Sequence, residues 1–102
     1  MWYSIARVGD RVYTGHLCDT STTIASGSPN VFINRVAVAR VNDPLAPHTI
    51  PSGSPPTCVP HPGQKVNKGS GKTFVNRLGV GRVLDSADLG YISQGSPNVY
   101  SS

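Results

Sequence analysis

Five residues suited to binding a soft or borderline metal ion fall between positions 16 and 61. They form three short groups: His16-Leu17-Cys18, then His48, then Cys58-Val59-Pro60-His61. The C-x2-H spacing lets two ligands close on one tetrahedral ion, and so does H-x-C in an extended segment. Four ligands from these five would make a closed structural site, for zinc first and iron second. Such a site supplies folding energy to a chain too small for a large core. The same residues allow two other states, a Cys18–Cys58 disulfide or no bond at all. A disulfide calls for an oxidising compartment, and the opening Met1-Trp2-Tyr3-Ser4-Ile5-Ala6-Arg7 carries no secretory signal. A catalytic zinc would need an open coordination position and a general base. Asp19 is the only carboxylate adjoining a candidate ligand; Asp88 and Ser86 are the other polar side chains most easily mistaken for catalytic groups. Gly69-Ser70-Gly71-Lys72-Thr73 echoes a phosphate loop but lacks the G-x4-G-K-[ST] spacing and leads into a strand. The chemistry on offer is structural, with no catalytic residue and no small-molecule substrate.

None of the candidate ligands lies in the strand-forming phrases, and those phrases repeat. Gly27-Ser28-Pro29-Asn30-Val31-Phe32 returns at Gly69 to Phe74 and again as Gly95-Ser96-Pro97-Asn98-Val99-Tyr100. Ala6-Arg7-Val8-Gly9-Asp10 returns as Ala39-Arg40-Val41-Asn42-Asp43 and Gly81-Arg82-Val83-Leu84-Asp85. At an offset of 42, residues 27–43 and 69–85 share nine identities in seventeen positions. A repeated unit buries its apolar face on its neighbours, and three units in 102 residues favour one closed, pseudo-threefold object over an open solenoid. The expected fold is a single all-β domain over 1–102, with repeats near 6–37, 38–79 and 80–102. Each complete unit reads as a hairpin turning at Asn34-Arg35 or Asn76-Arg77. Asn tolerates the positive φ of a type I′ turn, but the second position favours Gly. An arginine there costs about 1 kcal/mol, and its presence twice reads either as a strained but ordinary surface turn or as a sign that the side chain has a role. Alternation places Ala37, Ala39, Gly79 and Gly81 on one face, where small residues let backbones converge on an axis. Phe32, Val36 and Val38, with Phe74, Leu78 and Val80, form the opposite, core face. Between the hairpins, Pro44 to Lys68 holds seven of the nine prolines, an excursion best read as a loop pinned by its metal-capable residues. Arg7, Arg40 and Arg82 with Asp10, Asp43 and Asp85 most simply anchor turns between repeats.

Helix signals are nearly absent, because Gly or Pro interrupts almost every window. No apolar run reaches the roughly 20 residues of a membrane helix. Without a signal peptide the chain is expected to be made in the cytoplasm. The formal charge of +4 is spread over dispersed Lys and Arg without interleaved aromatics, which argues against nucleic acid as a partner.

The two interleaved phrases resemble the PAAR-repeat family, in which Pro-Ala-Ala-Arg motifs alternate with Gly-Ser-x-x-Val-x-Ile-Asn-Gly hairpins, and the resemblance covers essentially the whole chain. Thr14-Gly15-His16-x-Cys18 after the first motif is similar to spike-tip proteins of contractile phages. The resemblance implies a cone whose broad base caps the trimeric β-helical spike of a phage tail or type VI secretion machine, one copy per trimer, and whose point makes transient contact with the target envelope. It places the protein at the tail or secretion-apparatus spike. It also implies one zinc near the point held by three histidines and a cysteine; His16, His48 and His61 carry over by position. The chain departs from the pattern at Arg35 and Arg77, at the relaxed Ala37-Val38-Ala39-Arg40 and Gly79-Val80-Gly81-Arg82, and at Leu89, where many relatives place the cysteine. The fourth ligand then falls to Cys18 or Cys58, with Cys58 preferred because His61 shares its loop. Two other functions are a small zinc-dependent hydrolase of envelope polymers, for which no acid/base pair is in sight, and an adaptor carrying cargo onto the spike. The repeats run nearly to Ser102, which leaves little room for a fused toxin.

Overall fold

The Asn-Arg turns set the fold in motion. Asn34 and Arg35 have φ of 54° and 65°, and Asn76 and Arg77 have 53° and 68°. Two successive positive values are the geometry that matches the twist of a two-residue hairpin. The computed structural model, which describes residues 2–102, resolves into twelve short strands with no helix among the described residues. They are β1 (Tyr3–Ser4), β2 (Arg11–Tyr13), β3 (Ser21–Thr23), β4 (Phe32–Ile33), β5 (Val36–Ala37) and β6 (Thr49–Ser52). The rest are β7 (Thr57–Pro60), β8 (Phe74–Val75), β9 (Leu78–Gly79), β10 (Ser86–Ala87), β11 (Gly90–Ile92) and β12 (Tyr100–Ser101).

Ile33 pairs with Val36 and Phe32 with Ala37; Val75 pairs with Leu78 and Phe74 with Gly79. The third hairpin is built from both ends of the chain, Ser101 pairing with Tyr3 and Tyr100 with Ser4. Past these hairpins the three segments meet in a cycle of backbone hydrogen bonds. Ala39 N–H donates to Ala6 C=O (3.0 Å), Ala6 to Gly81 (2.8 Å) and Gly81 to Ala39 (2.8 Å). Bridges Arg7–Val38, Arg40–Val80 and Ile5–Arg82 surround it in the same rotation. Ala6 and Ala39 are wholly buried. At Gly79 an added Cβ would run into the Ser70 carbonyl, so that position requires glycine, whereas a Cβ at Gly81 would meet only ordinary contacts, and the equivalent positions carry Ala6 and Ala39.

Each arm then turns at an Arg-x-x-Asp loop. The Asp10 carboxylate accepts from the Arg7 backbone N–H and guanidinium at 2.8–3.1 Å. Asp43 does the same for Arg40, and Asp85 for Arg82. One carboxylate thus satisfies a turn N–H and a bidentate arginine at once.

The core is stacked along the pseudo-threefold axis. Ile5, Val38 and Val80 form its first tier, flanked by Ile33, Val75 and Val99. Ala6 and Ala39 then meet Val12, Ile24, Leu45, Val66, Ala87 and Ile92. This corrects one expectation: Phe32 and Phe74 are more than half exposed. Opposite residues in an antiparallel pair share a face, so Ile33 goes inward with its partner Val36 while Phe32 faces out. A second ring surrounds the lower tier: β10-β11-β2-β3 form one sheet, and bridges Ile24–Leu45, Pro44–Lys65 and Val66–Ala87 close it. The proline-rich excursion holds the β6–β7 hairpin, in register from Thr49–Pro60 to Ser52–Thr57. The molecule measures 44 × 27 × 21 Å, with the Asn-Arg turns on one side of the buried tiers and the histidines, the β6–β7 hairpin and the β10–β11 turn on the other.

Candidate metal centre

His16, His48 and His61 converge, and the fourth member of the cluster is Asp88; their ligand atoms lie within 4.8 Å of one another. Four local devices place them. His48 and His61 are the pair at the foot of the β6–β7 hairpin, joined by the His61 N–H to His48 C=O bond (2.9 Å). His16 follows Gly15, whose φ is 81° and where a Cβ would stand 2.5 Å from the Leu89 carbonyl oxygen. That missing Cβ, with the Leu89 N–H to Thr14 C=O bond (3.0 Å), brings the β10–β11 turn against the His16 loop. Asp88 is the first residue of that turn, at φ 54°, a left-handed conformation that Asp tolerates better than most residues.

Hydrogen bonds to the backbone orient two rings. His16 Nδ1 lies 2.9 Å from Leu17 C=O and His48 Nδ1 lies 2.9 Å from Ala46 C=O. A carbonyl accepts only, so both Nδ1 atoms carry hydrogen, and in neutral rings both Nε2 atoms present lone pairs. Those atoms face Asp88 Oδ2 at 2.9 and 2.7 Å, and His61 Nδ1 approaches His16 Nε2 at 3.2 Å. Lone pairs crowded on a carboxylate need a cation among them, either added protons or a metal ion. Asp88 Oδ1 is buried without a hydrogen-bond partner among the described residues, a costly state for a carboxylate oxygen. Three imidazole nitrogens and one carboxylate oxygen are a suitable donor set for a borderline divalent ion. The residues fit a metal, and the Leu17 and Ala46 carbonyls behind two of the rings already fix the tautomers it requires.

Electrostatics agree. Burial pulls His16 down, but the Leu17 carbonyl and the Asp88 carboxylate outweigh it and hold the ring above its ordinary value. Burial pushes Asp88 up, yet hydrogen bonds from His16 and His48 hold it below the usual carboxylate range.

The cysteines require a correction. Cys18 and Cys58 are bonded to each other, Cα atoms 5.8 Å apart, so neither offers a thiolate and both leave the ligand candidates. The disulfide ties the His16 loop to β7, reinforcing the same junction that the histidines span. Asp88 is the residue that sequence alone misses. Its signal sits one place before Leu89, the position at which a fourth ligand was sought. Asp19, the other carboxylate nearby, accepts hydrogen bonds from the Thr49 N–H (2.7 Å) and hydroxyl (2.9 Å), which hold it well ionised and engaged away from the cluster. Ser86 sits in β10 and pairs across the ladder with Tyr91. A cleft of about 270 Å³ between Leu45–His48 and Pro60–Gln64 reaches the His48 and His61 rings.

The described residues fold without a helix into a pseudo-threefold β ring, with a metal-suited cluster on the far side of the core from the Asn-Arg turns. The PAAR motif family model matches residues 3–47 and 14–90, and the chain belongs to that family. Family membership associates it with the spike proteins of contractile injection machines. No curated protein matches it. Among the described residues no helix is long and apolar enough to cross a membrane.

Proposed function

We propose that this chain is the structural tip of a contractile injection spike, capping the trimeric β-helical shaft with one copy per trimer and sharpening it for envelope penetration, in a phage tail or a type VI-like machine. The observation that carries the proposal is the closed cycle Ala6–Gly81–Ala39. One chain offers three near-equivalent arms to a threefold partner while converging on a single cluster. Three separate chains would have to bring three termini together at that point. The cluster holds one zinc, with iron second, through His16, His48, His61 and Asp88. When bound, the ion would supply the positive charge that the clustered lone pairs and carboxylate call for, and its ligands would come from the His16 loop, the β6–β7 hairpin and the β10–β11 turn. Native mass measurement of the spike complex tests the proposal: one copy per three spike chains is expected, and three copies per three would refute it. The hydrolase alternative is not favoured, because Asp19 is engaged with Thr49 and Asp88 with the histidines, so neither is a free general base.

A further inference from the structure

The two turn arginines remain unexplained by the fold. Arg35 and Arg77 sit at φ 65° and 68°, where glycine would be relaxed and an L-residue is strained. Both are exposed. Among the described residues neither guanidinium has a hydrogen bond or ion pair, in contrast to Arg7, Arg40 and Arg82, each locked to an aspartate. Among the described residues, therefore, no hydrogen bond or ion pair of the guanidinium offsets the strain. The register puts Trp2, 71 % exposed, in the corresponding place of the third hairpin, since Tyr3 pairs with Ser101 as Val36 pairs with Ile33. Outward from the same strands stand Phe32, Phe74 and Tyr100, exposed by 58 %, 57 % and 50 %.

Charge identifies what this end would meet. All five acidic residues of the chain are aspartates, and all are engaged elsewhere. Three bind the repeat arginines, Asp19 binds Thr49 and Asp88 faces the histidines. The hairpin end thus offers Arg35, Arg77 and Lys72 with no aspartate side chain left unengaged to balance them.

We propose that Arg35 and Arg77 seat the hairpin end on its mount, each guanidinium meeting a carboxylate presented by a separate chain of a trimeric partner, with Trp2 covering the third position. This rests on the capping function proposed above and names the chemistry of the capped surface: a ring of carboxylates around an apolar centre. Arginine suits the task because its planar fork holds a carboxylate in two hydrogen bonds and so fixes orientation as well as attraction. The charges also draw the partners together, a contribution that salt screens.

The test uses two forms of a trimeric β-helical spike end as probe, one with a glutamate at the apex of each chain and one with glutamine there. The full chain is expected to bind the glutamate trimer roughly tenfold more tightly at low salt, a gap that narrows as salt rises. In R35G/R77G the gap disappears while the melting temperature stays level or rises, because glycine relieves the turns. Equal binding of both trimers by the unmodified chain overturns carboxylate recognition and leaves capping intact. Binding of neither trimer overturns capping itself, and this inference with it. A clear fall in the melting temperature of R35G/R77G would show that the arginines serve the turn and overturn their role as contacts. Equal trimer binding together with arginine-dependent binding to phosphatidylglycerol vesicles would overturn it in favour of a lipid surface.

Discussion

Asp88 is the residue on which the proposed metal site depends most. Its Oδ2 is shared by His16 and His48, and its Oδ1 has no hydrogen-bond partner among the described residues. Loss of a second-shell group alone lowers metal affinity about 10–100-fold, so Asp88→Asn, which deletes a ligand charge, is expected to weaken zinc binding by about a hundredfold or more, read by competition with a chromogenic chelator. The metal-free protein has its own pH signature. His16 is held above 6.5, so its stabilising contribution is complete below that value and is lost as pH rises through the raised folded value. Asp88 is held below 3.8, so its contribution is complete above that value and is lost as pH falls through the lowered one. The metal-free chain should therefore melt highest between about pH 4 and 6.5 and lower at pH 8. Metal binding requires deprotonated rings and should reverse that order. A metal-free melting temperature that rises steadily from pH 5 to 8 would contradict the pairing. Three of the four cluster residues are legible in the sequence because histidines are few and lie in loops outside the repeats. Asp88 is not, since one aspartate among five carries no spacing signal and only the tight Gly15–Leu89 approach brings it across 72 residues to His16. The cysteines mislead for a related reason: C-x2-H spacing suits a metal, and only the three-dimensional register sets Cys18 against Cys58.

Two cross-links brace the β6–β7 hairpin, the disulfide and the cluster at its foot. Joining residues separated by 40 positions restricts the unfolded chain by about 4 kcal/mol in the chain-entropy account. C18S/C58S should therefore lose about that much stability in denaturant melts, with the β4–β5 and β8–β9 hairpins unaffected. Chelation of the metal should lower the melting temperature of the disulfide-bonded protein without unfolding it at 25 °C, and should unfold C18S/C58S outright. Survival of the double variant in chelator would show that the buried tiers suffice alone. The glycine at the β10–β11 turn makes a sharper test. A Cβ on Gly90 would run into the Tyr13 carbonyl, so Gly90→Ala should cost several kcal/mol, on the scale of an overpacked core, and disturb Asp88 two residues away. At this scale much is legible in the sequence: the Asn-Arg turns, the small residues near the axis and the repeat spacing. The side of each strand is less so. A two-residue strand offers too little alternation to show whether Phe32 or Ile33 is the core residue, and closure of the ring decides it. The third hairpin is harder still to see, since its strands lie at opposite ends of the chain.

For the whole molecule, function should follow folding, attachment and rigidity, with no dependence on a reactive side chain. Each arm of the ring closes on the next through Ala6, Ala39 and Gly81, and the carboxylates that resemble catalytic groups are tied to turns, to Thr49 or to the histidines. The decisive comparison sets two kinds of variant side by side. Asp19→Asn and Ser86→Ala alter polar groups outside the cluster, and particle infectivity or secretion is expected to stay within about twofold of the parent because surface changes of this kind rarely shift stability much. Val38→Pro removes a backbone N–H that donates to Val31 C=O (3.1 Å) in a fully buried tier. It should abolish function by unfolding the ring, since a proline cannot supply that donor. His61→Ala should fall between, losing metal and part of the stability. Melting temperature, metal content and spike binding, measured on every variant, separate folding from chemistry. If a single polar change outside the cluster destroyed function while all three stayed normal, a reactive group would be at work and the structural assignment would fall. If function instead tracks folded population and spike occupancy across the series, shape is what the chain contributes to the machine.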